Sequence, residues 1–288
     1  MTFSLTSGED YRERSQGVPQ AREGMRLSAA AATPRPALRG NRTFRRLRFS
    51  PAAAAAGSHG ELTPAFQIFL TRVLRRGDAV ADLGSGEGRA VFAAAGPAGR
   101  IVGLDRDPTA LRRARARARA LGLGRARFVR IDLEGRITAR ELRRRLAGPQ
   151  GFDVVLAHLC VSDRILKRAA ALLRPGGWAV VTALHADHWY ETGRGSRFSY
   201  AERDLLRSLA AARLVPAGLE IHTTEITFPS IQVLRDRFLG GARSERLRRW
   251  RQDGRWAVLA GRFRAGRRTL TESTITALAR RASSQRRP

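Results

Sequence analysis

The chain lacks the residues that would mark several kinds of protein. Cys160 is its one cysteine in 288 residues, which excludes an intrachain disulfide and a multi-cysteine zinc site and is compatible with a reducing compartment. No apolar run approaches the roughly 18–20 residues of a membrane span, and no secretory h-region is present. Acidic residues are scarce, 25 against 54 basic, for a net charge of +29. Such a balance suits nucleic acid, an anionic surface or an acidic carrier protein as partner. Lysine is also nearly missing: Lys167 stands alone among the 54 basic residues. A surface built only to bind phosphate has no reason to exclude lysine, which contacts phosphate well as a point charge. The charge is also dispersed, +8 over 1–77, +10 over 78–222 and +11 over 223–288. Both features agree with a compositional bias of the whole chain.

What is present divides into three parts. Residues 1–57 hold Pro19, Pro34, Pro36 and Pro51 with alanine runs and little apolar periodicity, and read as a disordered basic extension. Its acid-free stretch 25–60, with seven arginines, resembles an organelle transit peptide or lies upstream of a mis-called start. Cytoplasmic residence is the expectation otherwise. Residues 58–265 read as one folded domain, and 266–288 as a basic tail with little core potential. Within the domain, strands and helices alternate, the pattern of a parallel α/β sheet. Strands are expected at 79–83, 100–105, 127–132, 152–159, 178–184, 218–228 and 255–264. Helices are expected at 61–75, 88–95, from Pro108 behind the N-cap Asp107, near 138–147, at 162–173 and near 200–213. The stretch 231–251 reads as largely helical. The alternating arginines of 112–119 wind around most of a helix, which describes a solvated surface.

The strand at 79–83 runs through Asp82 into Gly84-Ser85-Gly86-Glu87-Gly88. Glycines in a strand-to-helix turn let backbone approach a nucleotide closely. Arg89 stands where a dinucleotide-binding Gly-x-Gly-x-x-Gly run needs its third glycine. A carboxylate at this strand end also repels a pyrophosphate, but it attracts the ammonium and sulfonium of S-adenosylmethionine.

With these residues in place, the chain resembles the class I S-adenosylmethionine-dependent methyltransferases over about 60–264. Asp82-Leu83-Gly84-Ser85-Gly86-Glu87-Gly88 looks like the family's first motif. Asp105, followed by Arg106, ends the second strand, where the family's acid accepts hydrogen bonds from both ribose hydroxyls. Asp132-Leu133 ends the third strand, where the family holds the adenine amino group and covers the ring. Leu173-Arg174-Pro175-Gly176-Gly177-Trp178 looks like the turn before the fifth strand. The resemblance implies a Rossmann-like, seven-stranded, mostly parallel sheet with a late antiparallel strand and helices on both faces. It also implies a helix at 59–70 lying as a lid over the cofactor, and 229–251 as an insertion between the last two strands. The implied cofactor is S-adenosyl-L-methionine, held by Asp82, Gly84, Ser85, Gly86, Gly88, Asp105, Arg106, Asp132, Leu133 and Ala157.

Substrate in an open α/β sheet sits beyond the carboxyl ends of the strands. There the chain carries Ala157-His158-Leu159-Cys160 and His185-Ala186-Asp187-His188-Trp189-Tyr190-Glu191. The Asp/Asn-Pro-Pro-aromatic motif of base-amine methylation is missing. His158, His185 and His188 are the candidates for a general base or a substrate contact; a histidine hydrogen-bonded to backbone at the cofactor rim is the alternative for His158. Trp189 and Tyr190 are expected to wall an apolar substrate, and no metal site is expected. Cys160 reads as packing rather than nucleophile. The expected reaction is direct in-line methyl transfer to an O, N or C nucleophile of a small-molecule metabolite. The alternatives are an RNA or protein methyltransferase using the basic surface and a catalytically silent partner subunit.

Overall fold

The computed structural model describes residues 41–48, 61–146, 150–196 and 198–283. These build a nine-stranded sheet in the order β1-β8-β9-β6-β5-β2-β3-β4, with β7 beside β6. The strands are β1 Asn41–Arg48, β2 Ala79–Leu83, β3 Arg100–Asp105, β4 Ala126–Arg130, β5 Phe152–His158, β6 Leu173–His185, β7 Ser199–Tyr200, β8 Leu214–Thr227 and β9 Thr269–Arg281. The helices are α1 Pro64–Val73, α2 Arg89–Ala94, α3 Pro108–Ala120, α4 Ala139–Leu146, α5 Asp163–Leu172, α6 Glu202–Ala211, α7 Glu245–Gln252 and α8 Arg255–Arg264. Strands β4, β3, β2, β5 and β6 pair in parallel, and β9 is antiparallel to both β6 and β8. All five parallel strands therefore end along one edge, and β9 begins there.

Local chemistry accounts for the elements. The short strands are apolar on both faces: Val80 enters one hydrophobic cluster with α1, α2 and α3, while Ala81 and Leu83 enter the other with α5 and α6. Helix α3 starts where Asp107 accepts the Thr109 amide proton at 2.8 Å and Pro108 takes the first turn. It buries only Leu111, Ala114 and Ala118. Arg112, Arg113, Arg117 and Arg119 stay exposed, with Arg113 paired to Glu87 at 2.8 Å, while Arg115 is half-buried and donates to the Phe128 carbonyl at 2.6 Å.

The structure departs from the sequence reading in several places, first in having nine strands where seven were expected. Residues 255–264 are helix α8, not the last strand. Leu259 and Phe263 lie four apart and are both buried, which is a helical face. Burying them contributes about 1.5–3 kcal/mol each, more than the roughly 1 kcal/mol that a mid-helix glycine such as Gly261 costs. The last strand is β9, inside the expected basic tail 266–288, and ten consecutive residues of it, Leu270–Ala279, are buried. Finally, 41–48 falls within the expected disordered extension but forms β1, parallel to β8. The rest of 1–57 lies outside the described residues.

Between β8 and β9 the insertion carries a core of its own. After a helical turn at Ile231–Val233 and a π turn at Leu234–Phe238 come α7 and α8, so 231–251 is helical only in part. Leu234, Leu239, Leu247, Trp250, Leu259 and Phe263 pack there with Ile226, Phe228 and Leu270 from the strands. Trp189 joins this cluster from the loop after β6, its ring 5.0 Å from that of Trp250. Among the described residues no helix is long and apolar enough to cross a membrane.

Candidate functional site

The glycine turn after β2 closes on itself through the Gly88 amide, which donates to the Ser85 carbonyl at 2.8 Å. Gly84 and Gly86 have φ of +71° and +50°, conformations that side chains disfavour. Their surroundings differ. A Cβ on Gly84 would sit 2.6 Å from the Cys160 Sγ, whereas one on Gly86 would meet nothing within 4 Å. The turn is therefore packed from below at Gly84 and open at Gly86. The Gly86 amide donates to Asp105 Oδ2 at 2.7 Å, and the Asp107 amide to Asp105 Oδ1 at 2.8 Å. Each carboxylate oxygen thus keeps acceptor capacity for a hydroxyl.

Asp82 is 2% exposed, and its Oδ2 has no hydrogen-bond partner among the described residues. Burial first, and the nearby Asp105 charge second, push its carboxyl well above the usual carboxylate range; a hydrogen bond from the Val91 amide opposes them. A cationic group beside it would relieve that penalty. A nucleoside with a positively charged tail, as in S-adenosylmethionine, fits this donor set: open backbone at Gly86, a half-used carboxylate at Asp105 and an uncompensated acid at Asp82.

The other expected cofactor residues are placed less directly. Ser85 is buried against Gly103, and its Oγ is unpartnered among the described residues. Asp132 is exposed beyond β4 and accepts the Glu134 amide proton at 2.9 Å, whereas Leu133 turns into the core. Arg106 is exposed and Ala157 fully buried in β5.

At the acceptor edge the three histidines are not equivalent. His158 Nε2 accepts the Thr63 amide proton at 3.2 Å, and the ring meets Phe66 edge-on at 5.1 Å. Burial, then the Arg89 charge, lower its pKa to about 4. His188 is 1% exposed and accepts the Ser273 amide proton on Nδ1 at 3.1 Å. His185 is buried at the end of β6, with Nδ1 3.3 Å from Asp187 Oδ2; burial lowers its pKa and Asp187 works against that shift. Of the three, His185 has a carboxylate beside it, the arrangement a proton acceptor uses. All three spend a ring nitrogen on a backbone amide, His185 taking that of Asp187 on Nδ1 at 3.3 Å.

Cys160 donates to the Leu83 carbonyl at 2.8 Å, and burial raises its thiol pKa, so it is packing and not a nucleophile. Trp189 and Tyr190 do not form one wall: Trp189 packs into the insertion core, while Tyr190 is exposed beside a cavity of about 400 Å³, lined also by Thr223, Glu225 and Thr271. Leu159 and Trp189, directly after β5 and near the end of β6, both have positive φ, +59° and +57°. Backbone strain of this kind concentrates at working edges.

Several buried polar residues escaped the sequence reading. Thr63, Thr182 and Thr276 gather their hydroxyls within 2.9–3.5 Å. Thr271 donates to Glu191 at 2.5 Å. The signal for β9 was the density of β-branched residues in Thr269-Leu270-Thr271-Glu272-Ser273-Thr274-Ile275-Thr276.

The chain is similar to known proteins in both sequence and fold. Residues 74–211 match a family model described as a methyltransferase domain. A ribosomal protein L11 methyltransferase of Thermus thermophilus is 34% identical over 143 residues, which cover 49% of this chain and 52% of that protein. The chain thus spans about half the length of this curated relative. Two solved structures share the fold. One is a Bacillus halodurans protein assigned as a methyltransferase, with TM-score 0.56 and 14% identity over 77% of this chain and 100% of that one. The other is the YcgJ protein of Bacillus subtilis, with TM-score 0.55 and 12% identity over 76% and 99%.

Proposed function

We propose that the chain is a class I S-adenosylmethionine-dependent methyltransferase, and that it methylates an O, N or C nucleophile of a small-molecule metabolite by direct in-line displacement; the match to a methyltransferase domain supports this reading. The observation that carries this reading is the cap over the acceptor edge. The insertion between β8 and β9 has its own core and is fastened to the loop after β6 by Trp250 against the Trp189 ring, 5.0 Å between centroids, and by Arg246 over the same ring, 5.3 Å from its centroid, while the Trp189 amide ties that loop to the Thr271 carbonyl of β9 at 2.8 Å. A folded cap suits an acceptor small enough to be enclosed and shielded from water.

When bound, the donor supplies an electrophilic methyl group on a sulfonium. The chain's own work is then alignment and exclusion of water, with a base where the nucleophile carries a proton. Asp105 holds the sugar hydroxyls, the backbone at Gly86 leaves room for the nucleoside, and Asp82 balances positive charge. His185, whose Nδ1 faces both the amide and the carboxylate of Asp187, is the candidate to accept a proton from the acceptor, at Nε2 and with Nδ1–H turned to Asp187 Oδ2.

A second reading, methylation of RNA or protein, is favoured by the charge of the same cap. Residues 229–268 hold twelve arginines against three acids. The curated relative also acts, by its name, on a ribosomal protein. Incubating the protein with methyl-labelled donor and a fractionated host extract decides between the readings. Label in the metabolite fraction supports the first; label confined to RNA or protein overturns it.

A further inference from the structure

His158, Thr182 and Thr276 form one row across three neighbouring strands, since His158 pairs with Thr182 and Thr182 with Thr276. All three meet the same residue, Thr63, the N-cap of α1. Its amide donates to His158 Nε2 at 3.2 Å, and its hydroxyl lies 3.5 Å from that of Thr182 and 3.4 Å from that of Thr276. Thr63 makes no side-chain cap hydrogen bond to its own helix, and Pro64, next in line, has no N–H. The amide and hydroxyl of this N-cap are thus fastened to the sheet, while its carbonyl takes the Gln67 amide of the helix at 3.1 Å. The row lies at the donor edge: two residues beyond His158, Cys160 supports Gly84, and Arg89, which opens α2 after the glycine turn, sets its charge against the imidazole.

The geometry points to His158 as a positioning residue: by accepting the Thr63 amide proton it pins the first turn of α1 beside the donor turn, and it is not the base of the reaction. A base must take a proton on a free lone pair, and the Nε2 lone pair is committed to a backbone amide. The bond also fixes the tautomer, with the proton on Nδ1. Burial and Arg89 keep the ring uncharged, so the acceptor persists across the neutral range. Phe66, in the first turn of α1, packs against the ring edge and holds its plane. This inference rests on the donor reading only for the consequence of the pin, not for the pin itself.

Its test separates acceptor from ring. His158→Phe keeps an aromatic ring beside Phe66 and removes the acceptor; His158→Gln keeps an acceptor at similar reach and removes the ring. Amide exchange of 61–70 is followed without ligand, and S-adenosylhomocysteine affinity by calorimetry. Losing one buried backbone partner should speed exchange of this segment by about tenfold in His158→Phe and weaken the ligand by a similar factor, with His158→Gln within about threefold of the wild type. Thr63→Pro removes the amide donor, at a φ of −62° that proline already prefers, together with the hydroxyl that meets Thr182 and Thr276, and should speed exchange at least as much as His158→Phe, which keeps the test open should that variant fold poorly. Exchange at the wild-type rate in His158→Phe or in Thr63→Pro overturns the pin, and so does His158→Gln behaving as His158→Phe. Asp105→Ala should abolish ligand binding and leave exchange of 61–70 unchanged, so failure of the donor reading and failure of the pin are told apart.

Discussion

Alanine at Gly86 and at Gly84 should have opposite consequences, although both glycines sit at positive φ in the same turn. An alanine in the left-handed region costs about 1–2 kcal/mol, and at Gly86 nothing is added to that, because its Cβ meets no atom within 4 Å. For a domain of this size the loss corresponds to a melting point lower by about 2–8 °C. The new methyl group instead fills space over which the nucleoside must lie. Overpacking of that kind costs about 1–3 kcal/mol, or roughly a fivefold to hundredfold rise in Kd. At Gly84 the Cβ lands 2.6 Å from the Cys160 Sγ and 2.8 Å from its Cβ. Strain and overlap then add within the folded protein, for about 2–5 kcal/mol of stability. Thermal melts without ligand and calorimetry with S-adenosylhomocysteine read the two quantities separately. Gly86→Ala binding ligand as the wild type does would refute the placement of the nucleoside over that residue. Equal melting losses for the two variants would refute the packing difference.

Further outcomes follow from the same coordinates. Because folding raises the Asp82 pKa, the ligand-free protein loses stability as pH rises from the unfolded carboxyl value of 3.8 through the raised folded value. Asp82→Asn should remove that slope in urea titrations and raise stability at neutral pH, while weakening donor binding; an unchanged slope contradicts the assignment. Ile275→Ala, at a fully buried site in β9, should cost about 2–5 kcal/mol in urea unfolding, where a mere tail would cost nothing. Removing residues 1–48 bares the β8 edge that β1 covers from Glu220 to Thr227. The shortened chain should self-associate in light scattering where the full chain does not.

The donor half of the domain was legible because its signals are local. Strands β2, β3 and β5 are short apolar runs, and the glycine turn declares a backbone conformation rather than a contact. The relationships that escaped the sequence are long-range. β9 reads as polar because its threonines and serine find partners on distant strands, such as Thr276 with Thr182 at 2.9 Å and Ser273 with Thr223 at 2.8 Å. The Trp256-Ala257-Val258-Leu259-Ala260 run looks like a strand until Leu259 and Phe263 are seen to share one buried face. β1 forms only because β8 offers it an edge. His158 carries the same lesson: three histidines near strand ends suggest bases, but the amide that occupies one of them arrives from 95 residues away.

The central claim is that Asp105 and the Gly84–Gly88 turn hold S-adenosylmethionine. Calorimetric titration of the donor onto the wild type and onto Asp105→Ala tests it most directly. Losing a carboxylate that accepts from two hydroxyls, at about 1.5–3 kcal/mol for each charged hydrogen bond, predicts saturable binding by the wild type and a loss of at least about a hundredfold in the variant. Equal affinity in the two proteins, or no binding by the folded wild type, would contradict it.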